Sequence, residues 1–305
     1  MKQRVGVASF ANPTTPSNPA SGLAAPARQP KDADRVKKSR RTGRLHATLA
    51  TVLALAAPLA CQADTGPCAT VTGGSLPDLI VNATKLAQYL SVGDEKYAPS
   101  SCAVQEKFVS SPGWHTLLRF TSSTPNIGAG ALVIGAPQNC PALFEPSACH
   151  GHLHFKQYAD YRLWTPSGYQ TWLALRDLSL PSTAGVNAAT LSQASKNRSL
   201  LVGRKMGFCM IDSEIYSAGA NASPTFVSCL SNQGVSVGWS DSYGANLEGQ
   251  YLEIDSLKSG DYVLEVHVNA EQLLPEASFQ NNSSAITVRY TARQGSAPAS
   301  IQVLP

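Results

Sequence analysis

From Leu76 onward, short apolar runs alternate with turn residues, a pattern typical of β-strands joined by tight connections. The clearest strands come near the end, where DYVLEVHVN and AITVRYTA alternate hydrophobic and polar positions around the segment LLPEASFQNNSS. Only TKLAQYL suggests a helix. The pattern predicts an all-β domain of roughly eight to ten strands, an antiparallel β-sandwich or a barrel. We take the β-sandwich, with long loops and little helix, as the predicted fold.

The middle of the chain contains further predicted strands and two segments that we predict as connections. Thr165-Pro166-Ser167-Gly168 predicts a hairpin turn between FKQYADYRLW and YQTWLAL, because such residues favour turns. Residues 179–199 are small and polar, which predicts an exposed loop. Residues 292–305 show no pattern and are predicted to form a tail. The other predicted strands are LPDLIVNA, WHTLLRF, ALVIGAP, GFCMID, VSVGW and YLEIDSL.

The charge of the chain is divided unevenly and indicates a targeting segment at the front. Residues 1–63 carry ten basic and two acidic residues, a charge of +8, whereas the rest carries fourteen basic and eighteen acidic residues, a charge of −4. The basic run VKKSRRTGR precedes ATLATVLALAAPLA, an apolar stretch of signal-peptide length that is too short to span a bilayer comfortably. A basic nucleic-acid-binding arm before a buried helix is the alternative.

These features predict the organisation of the chain. Residues 1–46 would form a disordered basic extension, 47–63 the signal-peptide apolar region and its cleavage zone, and 64–75 a linker. The main domain would span 76–291, followed by the tail at 292–305. We expect export to the periplasm, the cell surface or the medium, with no stable membrane insertion after signal removal and no nucleic-acid partner. Pro58 stands where a lipoprotein signal carries leucine, which argues against lipidation of Cys61.

Six cysteines follow the cleavage zone and predict a disulfide framework, because disulfides form in exported proteins. The sequence leaves the pairing open. No C-x-x-C motif is present, which argues against a zinc knuckle or a thioredoxin-type site. The six are Cys68, Cys102, Cys140, Cys149, Cys209 and Cys229.

The run Cys149-His150-Gly151-His152-Leu153-His154 is the strongest chemical signal and holds three of the six histidines. In an extended strand the three imidazoles would share one face. Convergent neutral imidazoles favour copper or zinc over calcium or magnesium. The outer two positions of a straight strand lie roughly 13 Å apart, too far for one ion. The prediction of a metal site therefore needs a bend, which Gly151 permits; a metal-free histidine-rich surface strand is the alternative.

Further motifs between Leu76 and Tyr290 accompany this run in sequence order. They are LPDL at 76–79, LLRF at 117–120 before a loop with Asn126 and Gly128, GRKMGFCMID at 203–212, SDSYGANLEGQYLEI at 240–254, and SGDYVLEVHVNAEQLLPEASFQNN. Together with the C-H-x-H-x-H run, they resemble the catalytic domain of the lysyl oxidase family, the copper-dependent protein-lysine oxidases. The resemblance implies that 76–291 is a catalytic domain, here of a bacterial-type member.

The resemblance implies a role for individual residues. His150, His152 and His154 would be copper(II) ligands. Family members build a lysine tyrosylquinone cofactor from their own side chains, and the matching positions here are Lys205 and Tyr243. Asp212 falls where the family has an acidic residue and is the predicted proton acceptor. The chain departs from the family at Phe144-Glu145-Pro146-Ser147, which replaces a W-x-W-H segment and removes a fourth histidine, and at Trp239, which replaces a cysteine.

The implied reaction explains why such residues occur together. Oxidation of a primary amine to an aldehyde needs an electron sink, which unmodified side chains lack. The cross-linking lysine must be neutral to act as a nucleophile, and burial or a nearby cation would make it so. The substrate would be a lysine-bearing protein or a small primary amine. Dioxygen would reoxidise the cofactor, yielding hydrogen peroxide and ammonia.

Two other functions compete with this hypothesis. The chain could be a secreted metal-binding or adhesion β-sandwich that keeps the family fold without oxidase activity, or a periplasmic protein that stores metal. Each residue alone also has a simpler explanation: Lys205 as a surface lysine, Tyr243 as a turn tyrosine and Asp212 as a turn former. His115 and His267 stand on predicted strands and are predicted to be structural rather than ligands.

Overall fold

The computed structural model describes residues 68–69, 74–179, 188–205 and 207–305 of the chain. The predicted N-terminal extension and signal segment at 1–63 lie outside the described residues, as does most of the predicted linker at 64–75. None of the described helices is long and apolar enough to cross a membrane.

The described residues form fifteen strands and four α-helices, which confirms the prediction of an all-β domain with little helix. The helices are α1 (Ala83–Gln88), α2 (Cys102–Gln105), α3 (Pro166–Ser179) and α4 (Ala188–Arg198), with a short 3-10 helix at Pro137–Asn139. The strands are β1 (Leu90–Tyr97), β2 (Gly113–Phe120), β3 (Ser122–Pro125), β4 (Leu132–Gly135), β5 (Phe144–Pro146), β6 (Leu153–Phe155), β7 (Ala159–Trp164), β8 (Leu201–Val202), β9 (Glu214–Ile215), β10 (Gln233–Val235), β11 (Trp239–Tyr243), β12 (Tyr251–Glu253), β13 (Gly260–Val268), β14 (Ser283–Thr291) and β15 (Ser300–Val303).

The described strands form five antiparallel sheets, and none of these sheets closes into a barrel. The largest has the order β15-β14-β13-β7-β8, and the next two have the orders β1-β2-β12 and β3-β11-β9. Two-stranded sheets pair β4 with β10 and β5 with β6. The two long C-terminal strands predicted from their alternation are β13 and β14, which pair from Gly260 opposite Tyr290 to His267 opposite Ser283.

The core lies where the central strands of the five-stranded sheet face the other sheets. All six residues of β7 are buried, because β13 and β8 flank this strand and side chains pack against both of its faces. On one face, Tyr161 packs edge-on against Phe120 of β2 with ring centroids 4.8 Å apart. On the other, Trp164 stacks on Trp172 of α3 at 6.0 Å. Helix α3 therefore covers the sheet.

The predicted hairpin at Thr165–Gly168 is wrong, because these residues begin α3 instead. The Thr165 hydroxyl oxygen accepts a hydrogen bond from the backbone N–H of Gly168 at 3.1 Å, and Pro166 occupies the first helical position. This is an N-cap, which uses the same residue types as a turn. The predicted loop at 179–199 is likewise wrong over Ala188–Arg198, which form α4.

Two further expectations differ from the structure. The predicted tail at 292–305 contains β15, which pairs with β14 at the edge of the largest sheet. GFCMID, predicted as a strand, forms only an isolated bridge between Phe208 and Phe155. The short segment around it is fixed instead by the Cys209–Cys229 disulfide and by the hydrogen bonds of Asp212.

The predicted disulfide framework is confirmed, and the structure resolves its pairing. The bridges are Cys68–Cys140, Cys102–Cys149 and Cys209–Cys229. Two of them meet the segments that carry the candidate site: Cys149 directly precedes the histidine run, and Cys209 lies four residues after Lys205.

Candidate active site

The histidine run does not form one straight strand. Gly151 has a φ of +67°, a conformation that L side chains rarely adopt, and the strand β6 starts only at Leu153. His150 therefore lies in a turn and folds back over His154. The bend anticipated at Gly151 removes the distance problem of a straight strand.

Helix α2 and Glu106, the residue that follows it, hold this turn in place. The Cys102–Cys149 disulfide joins it to this helix, and the Glu106 carboxylate accepts hydrogen bonds from the Ser147 hydroxyl and from the Cys149 backbone N–H, the latter at 2.9 Å. The Ser147 hydroxyl oxygen in turn accepts from the His150 backbone N–H at 3.0 Å. The position of the histidine run therefore depends on α2 and Glu106, which are distant from the run in sequence.

The three imidazoles converge closely enough to share one metal ion. One ring nitrogen from each histidine can be chosen so that all three lie within 4.8 Å of one another. His154 Nε2 is 3.1 Å from His152 Nε2 and 3.4 Å from His150 Nδ1. His152 Nδ1 lies 3.0 Å from the His150 carbonyl oxygen, which favours a proton on Nδ1 and leaves Nε2 free as a ligand.

The electrostatics of the three rings also suit a metal. Burial, together with the neighbouring histidines and Lys205, lowers the pKa of His154 to about 4. Burial likewise lowers the pKa of His152. Both rings are therefore neutral at pH 7, the form that donates a lone pair. Convergent imidazole nitrogens suit copper or zinc better than calcium or magnesium.

Lys205 is buried beside this cluster, in the segment that follows β8. Its ammonium group donates one hydrogen bond, to the Glu248 carbonyl oxygen at 3.1 Å. Nζ lies 4.8 Å from the ring centroid of Tyr243 and 4.9 Å from that of Phe208. Burial lowers the pKa of Lys205 to about 8, although Asp241, Glu106 and Glu248 partly oppose that shift. A substantial fraction of the amine is therefore neutral near pH 8.

Tyr243, at the end of β11, is fixed through its hydroxyl. This hydroxyl donates to the Cys209 carbonyl oxygen and accepts from the Cys209 backbone N–H, the latter at 2.9 Å. The Phe208 ring packs edge-on against the phenol with centroids 4.9 Å apart. Burial and the nearby Asp241 raise the pKa of Tyr243 well above its ordinary value. The tyrosine is held as a neutral phenol in one orientation.

A cavity of about 520 Å³ joins these groups. It brings together five of the six predicted site residues, including both proposed cofactor precursors and the three histidines. It is lined by His150, His152, His154, Lys205, Phe208, Cys209, Ile211, Ser213, Cys229, Asp241, Ser242, Tyr243, Leu247 and Glu248.

Asp212, the sixth predicted residue, does not line this cavity. Its carboxylate accepts four hydrogen bonds: from the backbone N–H groups of Thr225, Phe226 and Ser236 and from the Ser236 hydroxyl, at 2.7–3.2 Å. These bonds occupy its lone pairs and tie together two loops. Its role as a proton acceptor stays a prediction, and this environment argues for a structural role instead.

Sequence reasoning missed Asp241, a buried carboxylate in the cavity. Asp241 and Tyr243 are two positions apart on β11, so their side chains lie on the same face of the strand. The spacing D-x-Y was visible in the sequence and, once Tyr243 was chosen, could have identified Asp241. Glu106 and Gly249 were also missed, because each acts through a tertiary contact that no local pattern reveals.

The two histidines predicted to be structural lie outside this cavity. His115 Nδ1 is 2.7 Å from an Asp255 carboxylate oxygen, and Nε2 is 2.8 Å from the Ser111 carbonyl oxygen. With Glu253 and Asp255, His115 forms a second cluster whose spacing could accommodate a cation. His267 lies beside Arg162, and burial lowers its pKa to about 3.

Known proteins resemble the chain over much of this region. The lysyl oxidase family profile matches residues 190–298. Human lysyl oxidase homolog 1 is 26% identical over 236 residues, which cover 74% of this chain and 35% of the relative. Human protein-lysine 6-oxidase is 25% identical over 226 residues, which cover 71% of this chain and 46% of the relative. Pig protein-lysine 6-oxidase is 26% identical over 231 residues, which cover 71% of this chain and 77% of the relative. The chain thus spans less than half the length of both human relatives.

Proposed function

We propose that this chain, which resembles the lysyl oxidase family, is a copper-dependent amine oxidase that builds its own quinone cofactor from Lys205 and Tyr243. One observation carries the proposal: the Lys205 amine lies 4.8 Å from the centroid of the Tyr243 ring, inside the cavity that also exposes the three-histidine cluster.

His150, His152 and His154 would hold the copper ion. Their number, their nitrogen donors and their convergence fit a copper(II) site. When bound, copper would supply the redox chemistry that oxygenates the tyrosine ring, and the finished quinone would supply the electron sink for amine oxidation.

Lys205 provides the nucleophile for the cross-link. Its amine loses its proton readily because the side chain is buried beside aromatic rings and, among the described residues, donates a single hydrogen bond, to a backbone oxygen. The neutral amine of Lys205 would supply the lone pair for a bond to a carbon of the Tyr243 ring once that ring had been oxidised. The hydrogen bonds between the Tyr243 hydroxyl and the Cys209 backbone fix which side of the ring faces the amine.

The substrate would be a primary amine, carried by a lysine-bearing protein or by a small molecule. The cavity offers room for an extended alkylamine and presents the carboxylates of Asp241 and Glu248 to a positively charged group. The products would be an aldehyde, ammonia and, from dioxygen, hydrogen peroxide. The three disulfides fit an exported enzyme, as expected from the basic and apolar N-terminal segment.

Activity measurements test this function. Copper-loaded protein prepared in air should release hydrogen peroxide, ammonia and aldehyde from a primary amine such as n-butylamine or from a lysine-rich peptide. Lys205→Ala and Tyr243→Phe should bind copper with wild-type affinity yet release no peroxide, because each removes one half of the cofactor.

The Arg289→Ala variant provides the control, because the solvent-exposed Arg289 pairs with Asp261 across β13 and β14, and neither residue lines the cavity. It should retain full activity. Copper binding without turnover in the wild type would contradict the oxidase function and favour a metal-binding or adhesion protein with the family fold. Unchanged turnover in Lys205→Ala would contradict the assigned cofactor.

A further inference from the structure

We infer that Asp241 is the catalytic base that removes a proton from the amine-bearing carbon of the substrate. The inference rests on the proposed function and assigns within it a residue that the sequence had not suggested. It follows from the place of Asp241 in the cavity, from its hydrogen bonds and from a comparison with the other carboxylates nearby.

Asp241 lies beside the two residues that would form the cofactor, where a catalytic base is needed. It lines the same cavity as Lys205 and Tyr243, and its side chain is on the face of β11 that carries the tyrosine. Only 1% of the residue is exposed to solvent. A substrate amine bound to the finished cofactor would bring its adjacent carbon towards this carboxylate.

The Asp241 carboxylate has unused capacity to accept a proton. Oδ1 accepts one long hydrogen bond, from the Ile211 backbone N–H at 3.5 Å. Oδ2 is buried and has no hydrogen-bond partner among the described residues. A buried carboxylate without partners costs free energy, so a functional reason for it is expected.

The neighbouring carboxylates lack this property. Asp212 accepts four hydrogen bonds outside the cavity, and Glu106 is engaged by Ser147 and Cys149. Glu248 lines the cavity but accepts from the Tyr251 hydroxyl at 3.0 Å. Among the described residues that line the cavity, Asp241 is thus the carboxylate with a free, buried oxygen.

The electrostatics also suit a base that works near neutral pH. Burial raises the pKa of Asp241 well above its ordinary value, while the Lys205 ammonium opposes that rise. Cross-linking removes this ammonium charge, so the pKa of Asp241 should rise further once the cofactor is built. A base is most effective when its pKa lies near the working pH. The titratable groups that act on Asp241 or share its cavity are Lys205, Asp212, Glu248, Tyr158, Tyr161, Tyr243 and the three histidines.

In this step the carbon–hydrogen bond next to the substrate nitrogen would break, with its proton passing to the Asp241 carboxylate and its electron pair to the cofactor. Water would then release the aldehyde by hydrolysis. Dioxygen would take up the two electrons and two protons as hydrogen peroxide, a second hydrolysis would release ammonia, and Asp241 would return its proton to the solvent.

The test separates building of the cofactor from its use. Asp241→Asn, Asp241→Glu and the matched exposed control Asp261→Asn would be loaded with copper in air. Cofactor content would be measured by visible absorbance and by the mass of the phenylhydrazine adduct, which forms without removal of a carbon-bound proton. The rate at which n-butylamine reduces the cofactor without oxygen would then be measured, with the amine protonated or deuterated at the carbon beside nitrogen.

We expect Asp241→Asn to contain the cofactor and to form the adduct, but to be reduced about 10²–10⁴-fold more slowly, the usual contribution of a general base. Asp241→Glu should retain a measurable rate with a deuterium isotope effect and a shifted acid limb of the pH profile. Asp261→Asn should match the wild type.

Reduction of Asp241→Asn at a rate close to that of the wild type would overturn the inference. So would an Asp241→Asn protein that binds copper but builds no cofactor, because Asp241 would then act in cofactor formation. If Asp241→Asn does not fold, Asp241→Glu decides: a wild-type rate and pH profile would overturn the inference. A wild type without cofactor would contradict the proposed function itself.

Discussion

Gly249 packs directly against the side chain of Lys205. A Cβ atom at position 249 would lie 2.6 Å from Cδ and 3.0 Å from Cβ of the lysine, and Gly249 has a φ of +76°. The preceding residue, Glu248, supplies the carbonyl oxygen that binds the lysine amine. The turn after β11 thus shapes the position of Lys205 and leaves room for it only because residue 249 lacks a side chain.

Gly249→Ala should therefore displace Lys205 from Tyr243 and reduce cofactor formation, as well as strain the backbone by about 1 kcal/mol. Cross-link yield by mass spectrometry and the thermal unfolding midpoint would be measured together. Gly295→Ala is the matched control, because Gly295 also has a positive φ, +57°, but open space around it. It should share the strain and keep the cross-link; equal yields in both variants would contradict the packing argument.

The rate of cross-link formation should depend on the protonation of Lys205. Only the neutral amine can add to the ring, and burial lowers the lysine pKa to about 8. The rate should rise with pH and level off above about pH 8, well below the ordinary lysine range. Visible absorbance after addition of copper would follow the reaction from pH 6 to 10, with bound copper measured at each pH. A rate that still rises steeply above pH 9 would show an unperturbed lysine.

The lowered pKa of Lys205 also makes the stability of the fold depend on pH. Between pH 8 and the ordinary lysine pKa, the unfolded chain binds the proton that the folded chain has lost, so stability rises with pH in this window. Below pH 8 the folded protein keeps a buried charge at a cost. Lys205→Met in the metal-free protein should accordingly raise the free energy of unfolding at pH 7 by about 1–3 kcal/mol, as measured by urea denaturation. A loss of stability would indicate that the ammonium is well solvated.

Asp212→Asn should destabilise the fold by about 2–4 kcal/mol, because an amide cannot replace a carboxylate that accepts from several N–H groups. Asp261→Asn, at an exposed ion pair, is the control and should leave the free energy of unfolding nearly unchanged. Unfolding would be followed by circular dichroism. If Asp212→Asn kept full stability and lost only activity, the proton-acceptor role predicted from the sequence would be favoured after all.

The Cys102–Cys149 disulfide should support copper binding, since it anchors the turn that carries His150. The double variant Cys102→Ser/Cys149→Ser should weaken copper affinity about 10–100-fold, the usual effect of a residue that positions metal ligands. Cys68→Ser/Cys140→Ser removes a bridge that does not adjoin the histidines and should leave the affinity unchanged. Equal losses in both variants would point to general destabilisation.

Strand alternation is a local signal, and it predicted the fold class. The histidine spacing and the family motifs named six site residues, and the structure brings five of them together in one cavity; their roles stay predictions. The prediction failed where one local signal has two structural meanings. Thr165-Pro166-Ser167-Gly168 suits both a turn and a helix N-cap, and tertiary packing such as that of Trp172 on Trp164 favours the helix. It failed also where tertiary contacts decide. Asp212 and Asp241 look alike in sequence, but one is surrounded by donors and the other lies in the cavity with a free oxygen.

The cross-link between Lys205 and Tyr243 tests the central claim most directly. Copper-loaded protein prepared in air would be reduced and alkylated, which opens the Cys209–Cys229 bridge, and then digested with trypsin and a glutamate-specific protease. Cleavage after Glu214 and Glu248 separates residues 205–214 from residues 215–248. We predict one joined species, with a gained oxygen and lost hydrogens, which is absent from Lys205→Ala. Separate, unmodified peptides from fully copper-loaded protein would contradict the account.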